Sequence, residues 1–427
     1  MSVLEDARAV HAVGGVCDAC LGRVFADLSF GLTNQERGRS LRVTMGLEDD
    51  EEPESVEPTD CWICEGYCAA FDDWAERAAA AVEDVEFESY QVGTRTPALI
   101  EENERLLRED AGLPEDAGEL FKSEFNREVG KRFGTLTGTA VDFGRPDVQF
   151  LLDLAENTVE AGINSAFVYG RYRKLERDIP QTKWPCSACT GSGRQGREPC
   201  PECDGLGYRY PESVEQLSAP VVEDVMDGIG STFHGAGRED VDARMLGTGR
   251  PFVIEVEDPR RRDIDTDRLE GDINAFAEGK VEVEGLTLAT HEMVERVKRH
   301  EASKTYEAQV AFGDDVTPEA FADALAELDG ATVEQDTPKR VDHRRASKTR
   351  VRDVYEVDGE LEDSRTASVT VHGAGGLYIK ELISSDEGRT TPSLAGLLGV
   401  DAEVTALDVL RVDGEDEPFE DDDYLLE

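Results

Sequence analysis

Two Cys-x-x-Cys pairs in the middle of the chain constrain its fold more than any other feature of the sequence. Cys186 and Cys189 are followed, after ten further residues, by Cys200 and Cys203. This spacing lets four thiolates converge on one tetrahedral zinc ion and close a small loop. Each pair continues as Cys-x-x-Cys-x-Gly-x-Gly, and such glycines allow the tight turns that bring backbone amides close to sulfur. The sequence therefore predicts a small module with a closed, structural zinc site.

A second set of cysteines lies near the N-terminus and is less sharply defined. Cys17 and Cys20 are separated by 40 residues from Cys61 and Cys64, and Cys68 could replace one of these ligands. All nine cysteines lie in the first half of the chain, and an odd number in paired motifs favours metal ligation over disulfides. We expect a second structural zinc at Cys17, Cys20, Cys61 and Cys64. Buried free cysteines are the competing interpretation for the first set.

The charge of the chain limits the environment in which it can work. Its 45 Lys and Arg residues face 94 Asp and Glu residues, a net charge of −49 over 427 residues. Such a charge suits a salt-rich cytoplasm, where screening lengths are short, so we expect a halophilic protein. Local groups of cations then matter more than net charge for a nucleic-acid partner. The sequence has no signal-like segment and no apolar run of membrane-spanning length, which predicts a cytoplasmic protein without a membrane partner.

The patterns along the chain predict an α+β protein with four segments. Residues 1–73 hold the N-terminal cysteine set, 74–183 show a mixed α/β pattern, and 184–212 form the four-cysteine module. Residues 213–427 alternate strands and helices in a way that predicts a large, mainly antiparallel mixed sheet. We expect strands at VQFLLDL, SAFVYGRYR, PFVIEVE and LYIKELI. The acidic C-terminal tail, DGEDEPFEDDDYLLE, is expected to fray.

The stretch FHGAGREDVDARMLGTGRPF is the strongest candidate for a catalytic loop. Its glycines permit unusual backbone conformations, so that Asp240 can lie at the lip of a cleft with Arg238 beside it. A dinucleotide-binding loop fits poorly, because the motif lacks its last glycine and we expect neither a strand before it nor a helix after it. No nucleotide cofactor is therefore expected. An Arg–Asp pair that only braces a turn is the competing interpretation.

Three motifs, in order, resemble those of a known enzyme class. Gly-Arg-Glu-Asp, ending at Asp240, is similar to the Gly-Arg-x-Asp of the pseudouridine synthases. KTY at 304–306 resembles their tyrosine-bearing strand, and GLYIKE at 376–381 resembles their Gly-x-Tyr-Ile-Arg/Lys motif. Together with YGRYRKLERDIPQTKW and the N-terminal cysteine pairs, these motifs make the whole chain similar to archaeal tRNA pseudouridine synthases with an N-terminal THUMP domain.

The resemblance implies a fold, a substrate and a set of site residues. It implies a THUMP-like RNA-binding domain at 74–183, a catalytic domain at 213–427, and action on uridines 54 and 55 of the tRNA T-loop without a catalytic cofactor. Asp240 would attack C1′ of the sugar or C6 of the uracil, and the sequence leaves both open. The resemblance assigns further roles to the neighbouring side chains: Arg238 or Lys380 keeps the carboxylate charged, Tyr306 stacks on the flipped base, and Tyr378 lines the pocket.

Several alternatives remain open at this point. Tyr306 and Tyr378 could be ordinary core tyrosines, and Asp242 could be the nucleophile or only a brace for the loop. Cation-rich residues 338–352 and the strip 170–177 are candidate RNA contacts, although the first could pair with the protein's own acids and the second could be a solvated strand edge. The glycine-bordered cysteine pairs also resemble DnaJ-type co-chaperones, so a nonenzymatic RNA-binding or chaperone-like zinc protein is the rival class.

Overall fold

The computed structural model describes residues 2–28, 31–339 and 348–426. The chain divides into two compact units, Met1–Asn164 and Ser165–Glu427. The sequence predicts a single segment over 74–183, whereas the structure places residues 165–183 in the second unit. The reason is that the strand SAFVYGRYR pairs with strands of the second unit's large sheet.

Helices packed on a small sheet make up the first unit. Its elements are α1 (Val3–Val13), α2 (Asp18–Arg23), α3 (Asn34–Asp49), α4 (Phe71–Ala80), β1 (Ser89–Arg95), α5 (Ala98–Asp110), α6 (Phe121–Thr137), β2 (Ala140–Val141), β3 (Val148–Asp153) and β4 (Thr158–Ile163). The strand order is β2-β1-β3-β4, with β1 and β3 parallel and β3 and β4 antiparallel. Residues 1–73 and 74–164 share one hydrophobic core, which joins the cysteine-bearing helices to the aromatic face of α6.

Local sequence signals explain where the first helices begin. At α1, the Ser2 hydroxyl accepts from the backbone of Glu5, whose carboxylate accepts in turn from the Ser2 backbone. Thr33 and Glu36 form the same reciprocal arrangement at α3. Each of these capping boxes satisfies two backbone donors that a helix start would otherwise leave unpaired.

The second unit is built on one large, twisted sheet. Its elements are β5 (Ala166–Lys174), β6 (Arg194–Gln195), β7 (Glu198–Pro199), α7 (Val214–Val225), β8 (Gly230–Gly235), β9 (Arg244–Glu257), α8 (Thr266–Phe276), β10 (Val281–Ala289), α9 (Glu292–Arg299), β11 (Ala302–Phe312), α10 (Pro318–Leu328), β12 (Thr332–Gln335), β13 (Arg350–Leu361), β14 (Thr366–Gly373), α11 (Ile379–Ser384), β15 (Thr390–Thr391), α12 (Leu394–Leu398) and β16 (Ala402–Gly414).

The strand order of this sheet is β10-β5-β9-β16-β11-β14-β13-β12-β15, and β8 pairs with β9. Strands β9 and β16 are parallel, while the other neighbouring pairs are antiparallel. The prediction of a mainly antiparallel mixed sheet is thus confirmed. One core lies against β5 and β9, and a second lies against β11 and β14. Tyr306 packs against both cores, which places it at the middle of the sheet.

Two local predictions are wrong. LYIKELI forms helix α11 and no strand, because Ile379, Leu382 and Ile383 are buried at helical spacing after the Gly375–Gly376 turn that follows β14. The tail does not fray throughout: Phe419 is 1% exposed, and Arg296 donates to the backbone carbonyls of the tail. A buried aromatic anchor thus outweighs the repulsion among the acids around it.

None of the helices in the described ranges is both long enough and apolar enough to cross a bilayer.

Candidate active site and metal centres

A cleft of about 830 Å³ opens on the second unit where the sequence predicts a catalytic loop. Residues 236–243 of this loop join β8 to β9 and face β11 and α11. The structure brings the predicted substrate and catalytic residues to this cleft: Asp240, Arg238, Tyr306, Tyr378 and Lys380. Contrary to expectation, a strand, β8, precedes the loop. The loop is followed by another strand, β9, and therefore lacks the strand-to-helix context of a dinucleotide-binding loop.

A buried ionic network fixes the catalytic loop to the sheet. Glu239, between Arg238 and Asp240 in sequence, turns inward, and its side chain is only 1% exposed. Its carboxylate lies 2.9 Å from the Arg250 Nε of β9 and accepts a hydrogen bond of 2.9 Å from the Tyr172 hydroxyl of β5. Burial raises the pKa of Tyr172, and the Glu239 charge adds to this, so the phenol remains a donor. The network therefore holds Glu239 and lets the next residue, Asp240, face the cleft.

A buried lysine of β5 completes the anchoring. The Nζ atom of Lys174 donates to the carbonyls of Ile179, Asp240 and Val241, at 2.7, 3.3 and 3.1 Å, and lies 3.6 Å from Glu239. Burial lowers the pKa of Lys174. Two cations thus face one carboxylate beneath the loop. The backbone of Asp240 is thus tied directly to β5, an interior strand of the sheet.

Lys380 is the cation that the structure places against Asp240. Its Nζ atom lies 3.4 Å from Oδ2 of Asp240 and 2.9 Å from Oδ2 of Asp242. An ammonium at this distance stabilises an ionised carboxylate, which is the nucleophilic form. Asp240 is the less exposed of the two acids, at 40% against 64%. Arg238 lines the cleft with an exposed side chain.

Two tyrosines form aromatic walls of the cleft. Burial raises the pKa of Tyr306 to about 12, and the charges of Asp240 and Glu239 favour the same direction, so its phenol is neutral at physiological pH. The backbone N–H of Tyr378 donates to Oε1 of Gln335, and its carbonyl accepts from Nε2 of the same side chain, both at 2.9 Å. This reciprocal pair holds the start of α11, and with it Lys380, beside the loop.

The four-cysteine module has the geometry of a metal centre. The Sγ atoms of Cys186 and Cys200 are 3.9 Å apart, and those of Cys189 and Cys203 are 3.8 Å apart. Sulfurs around a tetrahedral zinc ion lie about 3.8 Å apart, given bonds of about 2.3 Å. The Gly207 backbone N–H donates a hydrogen bond to the Cys203 Sγ atom at 3.2 Å. Gly207 has a positive φ, and a Cβ atom there would lie 2.5 Å from the backbone oxygen of Gly191, so the position requires glycine. The four sulfurs therefore fit one metal ion.

The N-terminal cluster uses a different set from the one that the sequence predicts. The Sγ atoms of Cys17, Cys20, Cys64 and Cys68 lie within 4.8 Å of one another, whereas Cys61 is outside the group. The Cys61 sulfur instead accepts a hydrogen bond from the backbone N–H of Cys17, at 3.3 Å. Chain geometry selects Cys68, because residues 67–69 form a turn of 3₁₀ helix that brings it back toward α2.

Arg23 joins the N-terminal cysteine cluster to the rest of the first unit. This side chain is 2% exposed, donates to Sγ of Cys20 at 3.4 Å and to Sγ of Cys68 at 3.8 Å, and pairs with Glu124 at 2.8 Å. Glu104 lies 3.2 Å from its Nε atom. A guanidinium in this position stabilises thiolates and orients them for a metal. Sequence patterns do not reveal it, since its partners are 81 and 101 residues away.

The predicted RNA contacts meet different outcomes. The strip 170–177 is not a solvated edge, because β5 lies between β10 and β9 and its arginines pair with acids of the same unit. Arg173, for example, lies 3.1 Å from Glu282 and 2.9 Å from Glu284. These arginines are therefore engaged by the protein's own acids, and the RNA contact of this strip stays a prediction. Of the cation-rich segment 338–352, residues 340–347 lie outside the described residues, and Lys339 pairs with Glu387.

Comparisons with known proteins agree with this geometry. The family model "Pus10, C-terminal" matches residues 167–413, and the model "Pus10 THUMP domain, archaeal" matches residues 74–153. The chain is 70% identical over 427 residues to the tRNA pseudouridine synthase Pus10 of Halorubrum lacusprofundi, covering 100% of both chains. It is 44% identical to the protein of that name from Methanothrix thermoacetophila, covering 96% of this chain and 95% of the relative. It is 41% identical to the protein of that name from Methanopyrus kandleri, covering 92% of this chain and 95% of the relative.

Proposed function

Because the chain belongs to the Pus10 family of tRNA pseudouridine synthases, we propose that it isomerises uridines 54 and 55 of the tRNA T-loop, with Asp240 as the nucleophile. The observation that carries the proposal is the Asp240 carboxylate itself. It lies in the cleft, 3.4 Å from the Lys380 ammonium, on a loop whose neighbouring residue is locked into the sheet. A nucleophilic carboxylate must be held in position beside the bond that it attacks, and the anchored loop supports this role for Asp240.

The reaction needs no oxidant and no cofactor. The N1–C1′ bond of uridine breaks, the uracil rotates, and a C5–C1′ bond forms, while the proton on C5 is lost and N1 gains one. Asp240 forms a transient covalent bond to C1′ or to C6 and is released at the end. The Lys380 ammonium stabilises its negative charge before attack and again after release. The chain's own side chains therefore supply the chemistry.

The walls of the cleft suit a flipped nucleotide. Its volume, about 830 Å³, is within the range of small-molecule sites. Tyr306 offers a neutral aromatic face on which an extruded base can stack, and Tyr378 and Trp184 line the same space. Arg238 is exposed at the cleft, and we assign it a contact with the RNA backbone.

We assign a structural zinc ion to each cysteine group. No cysteine is among the described residues that line the cleft, so the metals act on folding and not on the reaction. The match to residues 167–413 includes the four-cysteine module, which favours a part of the synthase over a chaperone-like module. We further propose that the cations of residues 338–352 bind the tRNA backbone, and that the protein works in the cytoplasm.

Tritium release tests the assignment of Asp240. Transfer RNA transcribed with [5-³H]uridine loses its label to water when C5 gives up its hydrogen, so release counts isomerised uridines. In molar KCl we expect release by the wild type, none by Asp240→Asn, and release within a few-fold of the wild type by the matched control Asp242→Asn. Wild-type release by Asp240→Asn would contradict the role of Asp240.

The substrate assignment has its own arm in the same assay. Transcripts with cytidine at position 54 or 55 are expected to lose the corresponding part of the signal. No release by the wild type from any tRNA would contradict the activity and favour a nonenzymatic RNA-binding protein.

A further inference from the structure

Lys304, a partly buried lysine of β11, lies where two cavities meet. It lines the active-site cleft and also an adjoining cavity of about 440 Å³, and Gly237 and Gly376 border both spaces. The Nζ atom of Lys304 forms no hydrogen bond or ion pair with the described part of the chain, which is unusual for a charged group withdrawn from water. A Cβ atom on Gly237 would lie 3.5 Å from the Lys304 Nζ atom and 3.5 Å from Arg250, so both cations border this glycine.

The charges behind Lys304 do not neutralise it. Glu239 is 2.9 Å from Arg250 and 3.6 Å from Lys174, so one carboxylate already faces two cations. The Lys304 ammonium is a third positive charge in the same region. Burial lowers the pKa of Lys304 to about 8, and repulsion from Arg250 acts in the same direction. An anion from outside the chain would relieve this excess of positive charge.

We propose that Lys304 holds a backbone phosphate of the substrate RNA, in the adjoining cavity, next to the nucleotide that enters the cleft. The inference rests on the proposed function, since it takes RNA as the ligand. A flipped nucleotide remains joined to its strand, so a neighbouring phosphate must lie close to the cleft, and Lys304 lies on the border that the two spaces share. Gly376 at the same border, with φ of +84°, leaves room for a phosphate to approach the backbone.

The contact is expected to depend on pH. Below about pH 8 the ammonium is charged and binds phosphate, and above it the amine loses this charge. Titratable and charged groups surround Lys304 on two sides. On the side of the active-site cleft they are Glu239, Asp240, Arg250 and Tyr306. Around the adjoining cavity they are Lys298, Arg299, His300, Glu301, Arg352, Asp353, Tyr355 and Glu415. Tyr306, with its pKa near 12, stays neutral throughout this range.

The first test compares Lys304→Met with Lys280→Met. Lys280 pairs with Glu212 outside both cavities, so its variant removes the same charge from the same unit without touching the site. We expect Lys304→Met to raise the KM for tRNA roughly tenfold to a hundredfold, with a smaller change in kcat, because a charge-assisted contact to the bound strand is lost. The slope of log affinity against log salt should fall by about 0.7–0.9, the value for one phosphate.

The second test identifies the phosphate, and its measurements on the wild type do not depend on a variant that folds. T-arm stem-loops carry one uncharged methylphosphonate linkage at a time around the target uridine. For the wild type, one linkage should weaken binding at pH 7 and weaken it less at pH 9. For Lys304→Met that linkage should have no effect, whereas Lys280→Met should keep the wild-type pattern.

The outcomes separate this inference from the proposed function. If the wild type forms pseudouridine but no linkage shows a penalty that depends on pH or on Lys304, the phosphate site is wrong and the activity stands. If the wild type forms no pseudouridine in any tRNA, the proposed function fails and the phosphate site fails with it. Equal effects of Lys304→Met and Lys280→Met on KM and on the salt slope would also overturn the site.

Discussion

Neutralising Glu239 is expected to cost more stability than removing Arg250, although the two side chains form one ion pair. Both are 1% exposed, and their charged atoms are 2.9 Å apart. Breaking a buried ion pair by changing one partner costs about 3–5 kcal/mol, because the remaining charge is left uncompensated. Removing Arg250 leaves a buried carboxylate, whereas neutralising Glu239 leaves buried cations.

The surroundings of the pair set the order of the two effects. In Arg250→Met, the Glu239 carboxylate keeps the Tyr172 hydroxyl at 2.9 Å and the Lys174 ammonium at 3.6 Å, so it remains partly compensated. In Glu239→Gln, two cations remain under the loop with no carboxylate between them. We therefore expect a loss in the free energy of unfolding near 5 kcal/mol for Glu239→Gln and near 3 kcal/mol for Arg250→Met. The double variant should lose less than the sum, by about 1–3 kcal/mol.

Hydrogen exchange measures these losses in the second unit alone. The slowest amides of β5 and β9 report its opening, and about 3–5 kcal/mol corresponds to exchange that is roughly a hundredfold to several thousandfold faster. Peptides of the first unit serve as the internal control and should exchange as in the wild type. A larger effect for Arg250→Met than for Glu239→Gln, or strict additivity in the double variant, would refute this reasoning.

Two further predictions concern the metal centres. Elemental analysis should give about two zinc ions per chain for the wild type and for Cys61→Ser, but about one for Cys68→Ser, because Cys68 and not Cys61 lies in the N-terminal group; equal zinc contents in the two variants would contradict this set. Arg23→Met should weaken zinc binding at that group roughly 10–100-fold in a chelator competition, whereas the control Cys186→Ser should remove only the zinc ion of the other group. A zinc affinity of Arg23→Met equal to that of the wild type would show that Arg23 has no role beyond packing.

Sequence reasoning found residues whose signal is local and missed those whose partners are distant. Asp240, the tyrosines and Lys380 belong to short motifs, and the structure gathers them at one cleft. Glu239 stands between two motif residues, yet nothing local shows that it turns inward, because that depends on Arg250 and on Tyr172, which is 67 residues away. Lys304 belongs to the short motif KTY, but only its position between two cavities suggests the role that we propose for it.

The same distinction explains where the structure departs from what the sequence suggests. LYIKELI has the composition of a strand, but the two glycines before it end β14, and burial at helical spacing follows. The cations of 170–177 look available in sequence, yet their strand lies inside the sheet beside acids of β10. Cys61 and Cys64 look like one metal knuckle, and only the turn at residues 67–69 shows that Cys68 takes the place of Cys61.

The most direct test of the central claim measures binding and chemistry separately for Asp240→Asn. With enzyme in excess over labelled tRNA in molar KCl, one turnover reports the chemical step, and filter binding under the same conditions reports affinity. We predict affinity within a few-fold of the wild type and a single-turnover rate lower by roughly 10⁴-fold or more, because the group that forms the covalent bond is gone. A single-turnover rate equal to that of the wild type, or a loss that arises entirely from weaker binding, would contradict it.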